Sequence, residues 1–322
     1  PCGGSPDSMR IVVIGGTGFI GRRLIPLLAA RGDQVTCMDI NPAAGAAFAA
    51  LGDRVRVLRG DVTQFDQVMA VVAEAKPDRV INLAYHIGSD LPPRVATKLN
   101  VLGMDNCFEA ARIVGVPHTI YASSLAVSGP QRHFGERAVT EEDRCYGDNQ
   151  YAVNKIFNEF QARDYAEKYD MTITGIRPAN VTGPDKLFGS VDHVHCITEP
   201  ARGNPVTFPY RDAMRIPIHV DDIAEVFARV SAVEKPRHRI YNSGGTTISL
   251  GELADMVRGF LPDARIHFEQ DTGGRERSGN YLIDNSRLVE EFGVQYAPFR
   301  QRVLQIINDV RAERGAPSIR GD

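Results

Sequence analysis

The stretch YAVNK sets Tyr151 and Lys155 one helical turn apart. Side chains at i and i+4 of a helix are neighbours, so the ammonium can lie beside the phenol oxygen. A free tyrosine titrates near pH ~10, and proton exchange near neutrality needs a shift of about 3 units, or ~4 kcal/mol. A cation ~4 Å away across an effective dielectric of about 20 supplies roughly that amount before desolvation is subtracted. The pair is therefore a candidate general base and acid. At ~100° per residue, Val153, Ile156, Phe157 and Phe160 fall on another face of the same helix, and this stripe is predicted to bury against a sheet. A surface tyrosine beside a solvated lysine is the plainer alternative, so the assignment depends on the company the pair keeps.

A hydroxyl to hold a substrate oxygen is offered by YASSLAVSG (121–129), where Ser123 and Ser124 end a β-rich run. Serines at a strand end commonly form turns. At the carboxyl edge of an open α/β sheet they also face the crevice where ligands bind.

These side chains need a frame. Runs at 10–14, 34–39, 54–58, 79–84, 118–123 and 172–177 read as buried strands, and 19–31, 64–75, 98–114 and 150–169 as the helices between them. Such alternation predicts an α/β fold, a Rossmann-type doubly wound parallel sheet covered on both faces, because parallel strands need crossovers. Beyond Pro178 the pattern becomes irregular, returns to strand and helix over 216–232, and ends in helical stretches. The division expected is a cofactor-binding domain over 9–178, rejoined by 216–244, with a smaller C-terminal substrate-binding lobe from 179–215 and 245–322. Within the lobe, Ser249 and Glu252 read as a capping box opening a helix. Residues 1–8, PCGGSPDS, precede Met9 and read as an expression scar.

The first strand runs into RIVVIGGTGFIG. Gly15, Gly18 and Gly21 satisfy one dinucleotide-binding spacing and Gly16, Gly18 and Gly21 another, with Phe19 and Ile20 between the last two; spacing alone leaves the register open. Either serves a tight turn, close backbone approach to a pyrophosphate, and helix N–H groups aimed at negative charge. Asp39 ends the second run, where a carboxylate meets an adenosine ribose 2′-hydroxyl and repels a 2′-phosphate. No arginine follows it directly, which favours NAD over NADP, although Arg22 and Arg23 stand nearby. An oxidised nicotinamide ring would add positive charge beside Tyr151, letting the phenol remove or return a hydroxyl proton as hydride moves.

With 43% hydrophobic and 24% charged residues over 322, the chain can bury a substantial core. A net charge of −3 without a long basic run argues against nucleic acid or an anionic membrane as partner and for a small molecule. No apolar run approaches membrane-spanning length and no secretory leader is apparent, so a cytoplasmic location is expected. The five cysteines, Cys2, Cys37, Cys107, Cys145 and Cys196, lack ligand spacing, and neither a metal site nor a disulfide is expected. Arg275 and Arg277 are candidate holders of a substrate phosphate or carboxylate, with a solvated loop the alternative.

Taken in order, VVIGGTGFIG, NLA (82–84), YASSLAVSG, YAVNK, RPANVTGP (177–184) and HVDDIAEV (219–226) resemble the extended short-chain dehydrogenase/reductase family, the NAD-dependent epimerase/dehydratase group. The resemblance implies that Gly15, Gly18 and Gly21 take the pyrophosphate, Asp39 the adenosine ribose, Asp61 and Val62 the adenine, and that Leu83 and Ala84 lie along the cofactor. It points to Ser124 as the catalytic serine with Ser123 as fallback, to Tyr151 as acid/base, and to Lys155 as also holding the nicotinamide ribose. Asn180 would lie at the substrate side or be a turn asparagine. His219, Asp221 and Asp222 would be structural, an aspartate capping the following helix. A homodimer is implied as well. The short stretch 82–100 and Ser128, where the family carries tyrosine, count against a nucleotide-sugar substrate. The reading placed first is an NAD-dependent oxidoreductase acting on a secondary alcohol or ketone of a small hydroxylated or sugar-like molecule. An epimerase of a nucleotide-sugar, through a transient ketone, comes second, and a non-catalytic NAD-sensing protein third.

Overall fold

The computed structural model describes residues 8–87 and 91–321. Apart from Ser8, the stretch read as a scar lies outside the described residues, as does Cys2. In chain order come β1 (Arg10–Ile14), α1 (Gly21–Arg31), β2 (Gln34–Asp39), β3 (Val55–Arg59), α2 (Phe65–Ala75), β4 (Arg79–Asn82), α3 (Pro93–Thr97), α4 (Gly103–Val114), β5 (His118–Ala122), α5 (Gln150–Tyr169) and β6 (Ile173–Arg177). They are followed by β7 (Asn180–Thr182), α6 (Asp192–Arg202), β8 (Val206–Tyr210), β9 (Met214–Arg215), β10 (Pro217–His219), α7 (Val220–Ala232), β11 (Ile240–Asn242), β12 (Ile248–Ser249), α8 (Leu250–Phe260), β13 (Ile266–Gln270), α9 (Ser286–Phe292) and α10 (Phe299–Glu313).

Seven parallel strands form one sheet in the order β3-β2-β1-β4-β5-β6-β11. The chain reverses its direction of travel across the sheet between β1 and β4, and the crevice beyond the carboxyl ends of those strands is where doubly wound sheets bind ligands. β4, β5 and β6 are buried throughout, as strands covered on both faces must be. Leu24, Ile25 and Leu28 of α1 pack with Ile223 and Phe227 of α7 on one face. Val68 and Val72 of α2 pack with Cys107, Ala110 and Ala111 of α4 on the other. A separate core of Cys196, Ile197, Phe208, Leu253, Val257, Val303 and Ile306 joins α6, α8 and α10 over the β8–β13 pair, forming the C-terminal lobe. Ser249 and Glu252 make the reciprocal capping box at the start of α8.

Three local expectations are corrected. The stripe on α5 does not bury: Val153, Phe157 and Phe160 are about half exposed, while Ala152, Asn154, Lys155, Asn158 and Ala162 face inward. Small residues let the helix approach closely, and Lys155 and Asn158 satisfy backbone carbonyls at Ala122 and Asn100, which an apolar side chain could not do. The helix expected over 98–114 begins with a π turn, Lys98–Leu102, before α4 proper. The cap of α7 is neither aspartate: His219 Nδ1 accepts from the Asp221 N–H at 3.2 Å. Asp222 instead pairs with Arg302, and Asp221 accepts from Gln305 at 2.9 Å, tying α7 to α10.

Candidate active site

β5 ends at Ala122, and Ser123 and Ser124 lead the chain off the sheet edge in different directions. Ser123 is buried, and its hydroxyl donates to Glu159 Oε1 at 2.6 Å, away from the crevice. Glu159 in turn receives a two-pronged pair from Arg177, Nε to Oε1 and Nη2 to Oε2, each at 2.8 Å. Ser124 caps the short turn Leu125–Ser128, its Oγ accepting from Ala126 N–H at 3.1 Å, and faces Tyr151. Burial pushes the Tyr151 phenol up to about 12, and a hydrogen bond from Ser124 opposes that rise. The serine pair is thus divided: Ser124 meets the tyrosine, and Ser123 belongs to the buried carboxylate behind it.

Lys155 is almost fully buried. Its Nζ donates to the Ala122 carbonyl at 2.6 Å, sits 3.2 Å from the ring centroid of Tyr85, and is 5.8 Å from the ring centroid of Tyr151. Burial draws its pKa well below the ordinary lysine value, with Glu159 working the other way. The ammonium therefore rests on a carbonyl and an aromatic face rather than directly on the phenol oxygen. Protein groups alone do not acidify Tyr151, contrary to the expectation from spacing. Tyr85, which sequence reasoning passed over, meets Tyr151 edge to face at 5.7 Å. The signal that would have found it is an aromatic residue directly after NLA, at the carboxyl end of a strand bordering the crevice.

The glycine turn fits a dinucleotide. Gly15 has φ +77°, and a Cβ there would lie 2.6 Å from the Ala84 nitrogen, so only glycine lets the turn press against the end of β4. A Cβ on Gly16 would strike Cys37 Sγ at 2.6 Å, and one on Gly21 would strike the Gly16 carbonyl oxygen at 2.3 Å. Among the described residues a Cβ at Gly18 would meet only Gly15 O, at 3.1 Å, leaving the turn open on that side. Among the described residues no side chain caps α1, and the N–H groups of Arg22, Arg23 and Leu24 already donate to the Gly18 and Ile20 carbonyls, so a pyrophosphate would be met by the N–H groups of the turn that precede them. Asp39 Oδ2 accepts from Thr17 N–H at 3.1 Å and Oδ1 from Asn41 N–H at 3.0 Å, fixing the carboxylate between the turn and the end of β2. Arg22 and Arg23 are both held by Asp185, at 2.6 and 2.7 Å, which removes them as partners for a 2′-phosphate. These residues suit NAD.

The other candidates divide similarly. Leu83 N–H extends β4 onto Ile14 O, and Ala84 N–H is taken by Asn82 Oδ1, keeping both beside the glycine turn. Phe19 lies against Gly183 of the loop after β7, and Ile20 packs on the core beneath α1. Asp61 Oδ1 accepts from Thr63 N–H at 2.8 Å, whereas the Val62 side chain is buried with Val68 and Val72. Asn180 Oδ1 is committed to Ile216 N–H at 2.9 Å, tying β7 to the segment before β10. Arg275 reaches Tyr281 and Glu136, and Arg277 bonds and stacks on Tyr210; both are solvent-facing. Sequence reasoning missed Arg215, which forks onto Asp192 beside His193 and Lys186. Burial lowers Lys186 to about 8 and His193 to about 4. Among the described residues no cluster of three His, Cys, Asp or Glu could hold a metal, and Cys37, Cys107, Cys145 and Cys196 are free. No described helix is long and apolar enough to cross a membrane.

Residues 11–244 match the family described as NAD dependent epimerase/dehydratase. A UDP-glucose 4-epimerase of Mycolicibacterium smegmatis is 30% identical over 301 residues, 89% of this chain and 93% of that protein. The crystal structure of the Thermus thermophilus UDP-glucose 4-epimerase in complex with NAD aligns with a TM-score of 0.81 at 24% identity, covering 94% of this chain and 99% of that one. A GalE-like L-threonine dehydrogenase from Cupriavidus necator aligns at 0.79 with 20% identity, over 92% and 99%. A glycine turn shaped for a dinucleotide, a tyrosine and serine meeting at the sheet edge, and sequence kinship along nearly the whole length agree: this chain belongs to the NAD-dependent epimerase/dehydratase family and is an NAD-binding enzyme of hydride transfer.

Proposed function

We propose that the enzyme epimerises a nucleotide-sugar through a transient ketone. The observation that carries this is Tyr151 meeting Ser124 at the carboxyl edge of β5, in the crevice that opens beside the glycine turn. The glycine turn and Asp39 would hold NAD, which would supply a hydride acceptor that gives the hydride back to the opposite face of the same carbon, and a positive charge near the phenol. Ser124 orients the sugar oxygen, Tyr151 Oη takes its proton and returns it, and Lys155 holds the nicotinamide ribose. Arg275 and Arg277 face the solvent side of the lobe, where guanidinium forks suit a diphosphate. The relative of 30% identity is named for UDP-glucose epimerisation, which supports this reading over net oxidation of a small alcohol, the one the sequence placed first. A cofactor sensor without turnover has no support, since the hydroxyl, phenol and ammonium are all retained.

The test supplies UDP-glucose with NAD and follows both UDP-galactose and the absorbance of reduced cofactor. Epimer without stoichiometric reduced cofactor is expected; stoichiometric accumulation without epimer would make the enzyme a dehydrogenase. Tyr151→Phe should lower kcat about 10²–10⁴-fold with NAD affinity retained, and unchanged turnover would remove Tyr151 from the chemistry.

We further propose a cytoplasmic homodimer. The buried free thiols of Cys37, Cys107 and Cys196 suit a reducing compartment. Val95 and Leu102 beside α4, with Val153, Phe157 and Phe160 on α5, expose apolar surface on neighbouring helices, as subunit contacts do.

A further inference from the structure

We infer that Tyr85 is a positioning residue of this reaction centre, its ring face holding the Lys155 ammonium in place and in its charged form. The inference rests on the acid/base reading of Tyr151. Lys155 Nζ lies 3.2 Å from the Tyr85 centroid, inside the range where the negative face of an aromatic ring attracts a cation, an attraction that grows when both are desolvated. Lys155 is 2% exposed, so water contributes little to keeping it charged. Glu159, the carboxylate that works to keep it charged, is shared with Arg177 and Ser123. Among the described residues the buried Tyr85 hydroxyl has no hydrogen-bond partner, so the ring is the part of this side chain seen to engage the site.

The ring is itself held. Its edge-to-face contact with Tyr151 fixes one side. The backbone of the next residue, His86, is clasped by Asn100, whose Oδ1 accepts the His86 N–H at 2.9 Å while its Nδ2 donates to the His86 carbonyl at 3.1 Å. Asn100 belongs to the π turn before α4, an irregularity that recurs at functional sites, and its own carbonyl accepts from Asn158 of α5 at 3.1 Å. Loop, π turn and α5 are thereby tied into one unit around the lysine. The groups facing Lys155 are Tyr85 from the loop, the Ala122 carbonyl from β5, and Tyr151 and Glu159 from α5; those facing Tyr151 are Ser124 and Tyr85. Lys155 Nζ is 5.8 Å from the Tyr151 ring centroid, so its charge would act on the phenol through space as one contribution beside that of bound NAD, and a weaker hold on the ammonium would then let the phenol give up its proton at higher pH.

The test titrates tyrosinate absorbance of the full chain with saturating NAD. The chain has no tryptophan, and subtracting a matching Tyr151→Phe protein isolates Tyr151. Tyr85→Leu should raise the Tyr151 midpoint by about one pH unit, and Tyr85→Phe, which keeps the ring, should leave it in place. NAD affinity verifies that each variant folds, and Tyr85→Met, which fills the space without a π face, replaces Tyr85→Leu if that protein does not. An unmoved midpoint in the ringless variant, or an equal shift in Tyr85→Phe, overturns the inference alone. A wild-type Tyr151 that titrates no lower than an ordinary tyrosine with NAD bound overturns the acid/base reading, and this inference with it.

Discussion

Replacing Glu159 with glutamine tests the charged support behind the site. Three donors converge on its two oxygens: Arg177 Nε and Nη2, each at 2.8 Å, and the Ser123 hydroxyl at 2.6 Å. Arg177 and Glu159 are 4% and 12% exposed, so neither charge is compensated by water. The amide keeps the shape but offers one acceptor oxygen, leaving a buried guanidinium unpaired and one donor facing an NH₂ group. Breaking a buried pair from one side costs about 3–5 kcal/mol. At roughly 2 °C per kcal/mol for a chain of this size, scanning calorimetry should record Tm about 6–10 °C lower. The double variant Glu159→Gln/Arg177→Met removes the stranded charge and should recover more than half of the loss. A Glu159→Gln melt within about 2 °C of wild type, or a double variant no better than the single one, would refute the argument that this pair is electrostatically closed.

Acidification should destabilise the fold early. Burial holds His118 and His193 neutral, with pKa values lowered from 6.5 to about 4, so the unfolded chain takes up their protons first. Stability from this source is complete above pH 6.5 and declines toward pH 4, by up to ~1.4 kcal/mol per pH unit per histidine. Tm measured at pH 7 and at pH 5 should differ, and a flat profile would contradict the burial argument. NAD should be preferred over NADP, and Asp39→Ser with Asp185→Ala, which removes one carboxylate and frees Arg22 and Arg23, should narrow the affinity ratio at least about tenfold; an unchanged ratio would mean that other groups select the cofactor. Phe157→Glu should convert the proposed dimer to monomer in sedimentation velocity; a dimer that survives would place the contact elsewhere, and a monomeric wild type would overturn the proposal.

Local features were legible in the sequence. The sheet could be read from runs of valine and isoleucine separated by helix-length segments, because burial on both faces of a parallel strand leaves that pattern in consecutive residues. The capping box of Ser249 and Glu252 needs only a spacing of three, and the glycines of the first turn show in their spacing over seven residues, although what Gly15 and Gly16 make room for, Ala84 and Cys37, lies farther along the chain. Features set by distant partners were not legible. Helix α5 turned its polar side inward because carbonyls at Ala122 and Asn100, brought close by the sheet and the π turn, outweigh the burial of Phe157 and Phe160. Arg22 is claimed by Asp185, 163 positions away. Ser123 and Ser124 are alike in sequence, and only the placement of Glu159 and Tyr151 around them separates their directions. Periodicity and turn chemistry are properties of neighbouring residues, so the sequence alone determined the frame. Desolvation and charge pairing depend on what the fold brings together, so the tertiary structure alone decided which side chains face the crevice.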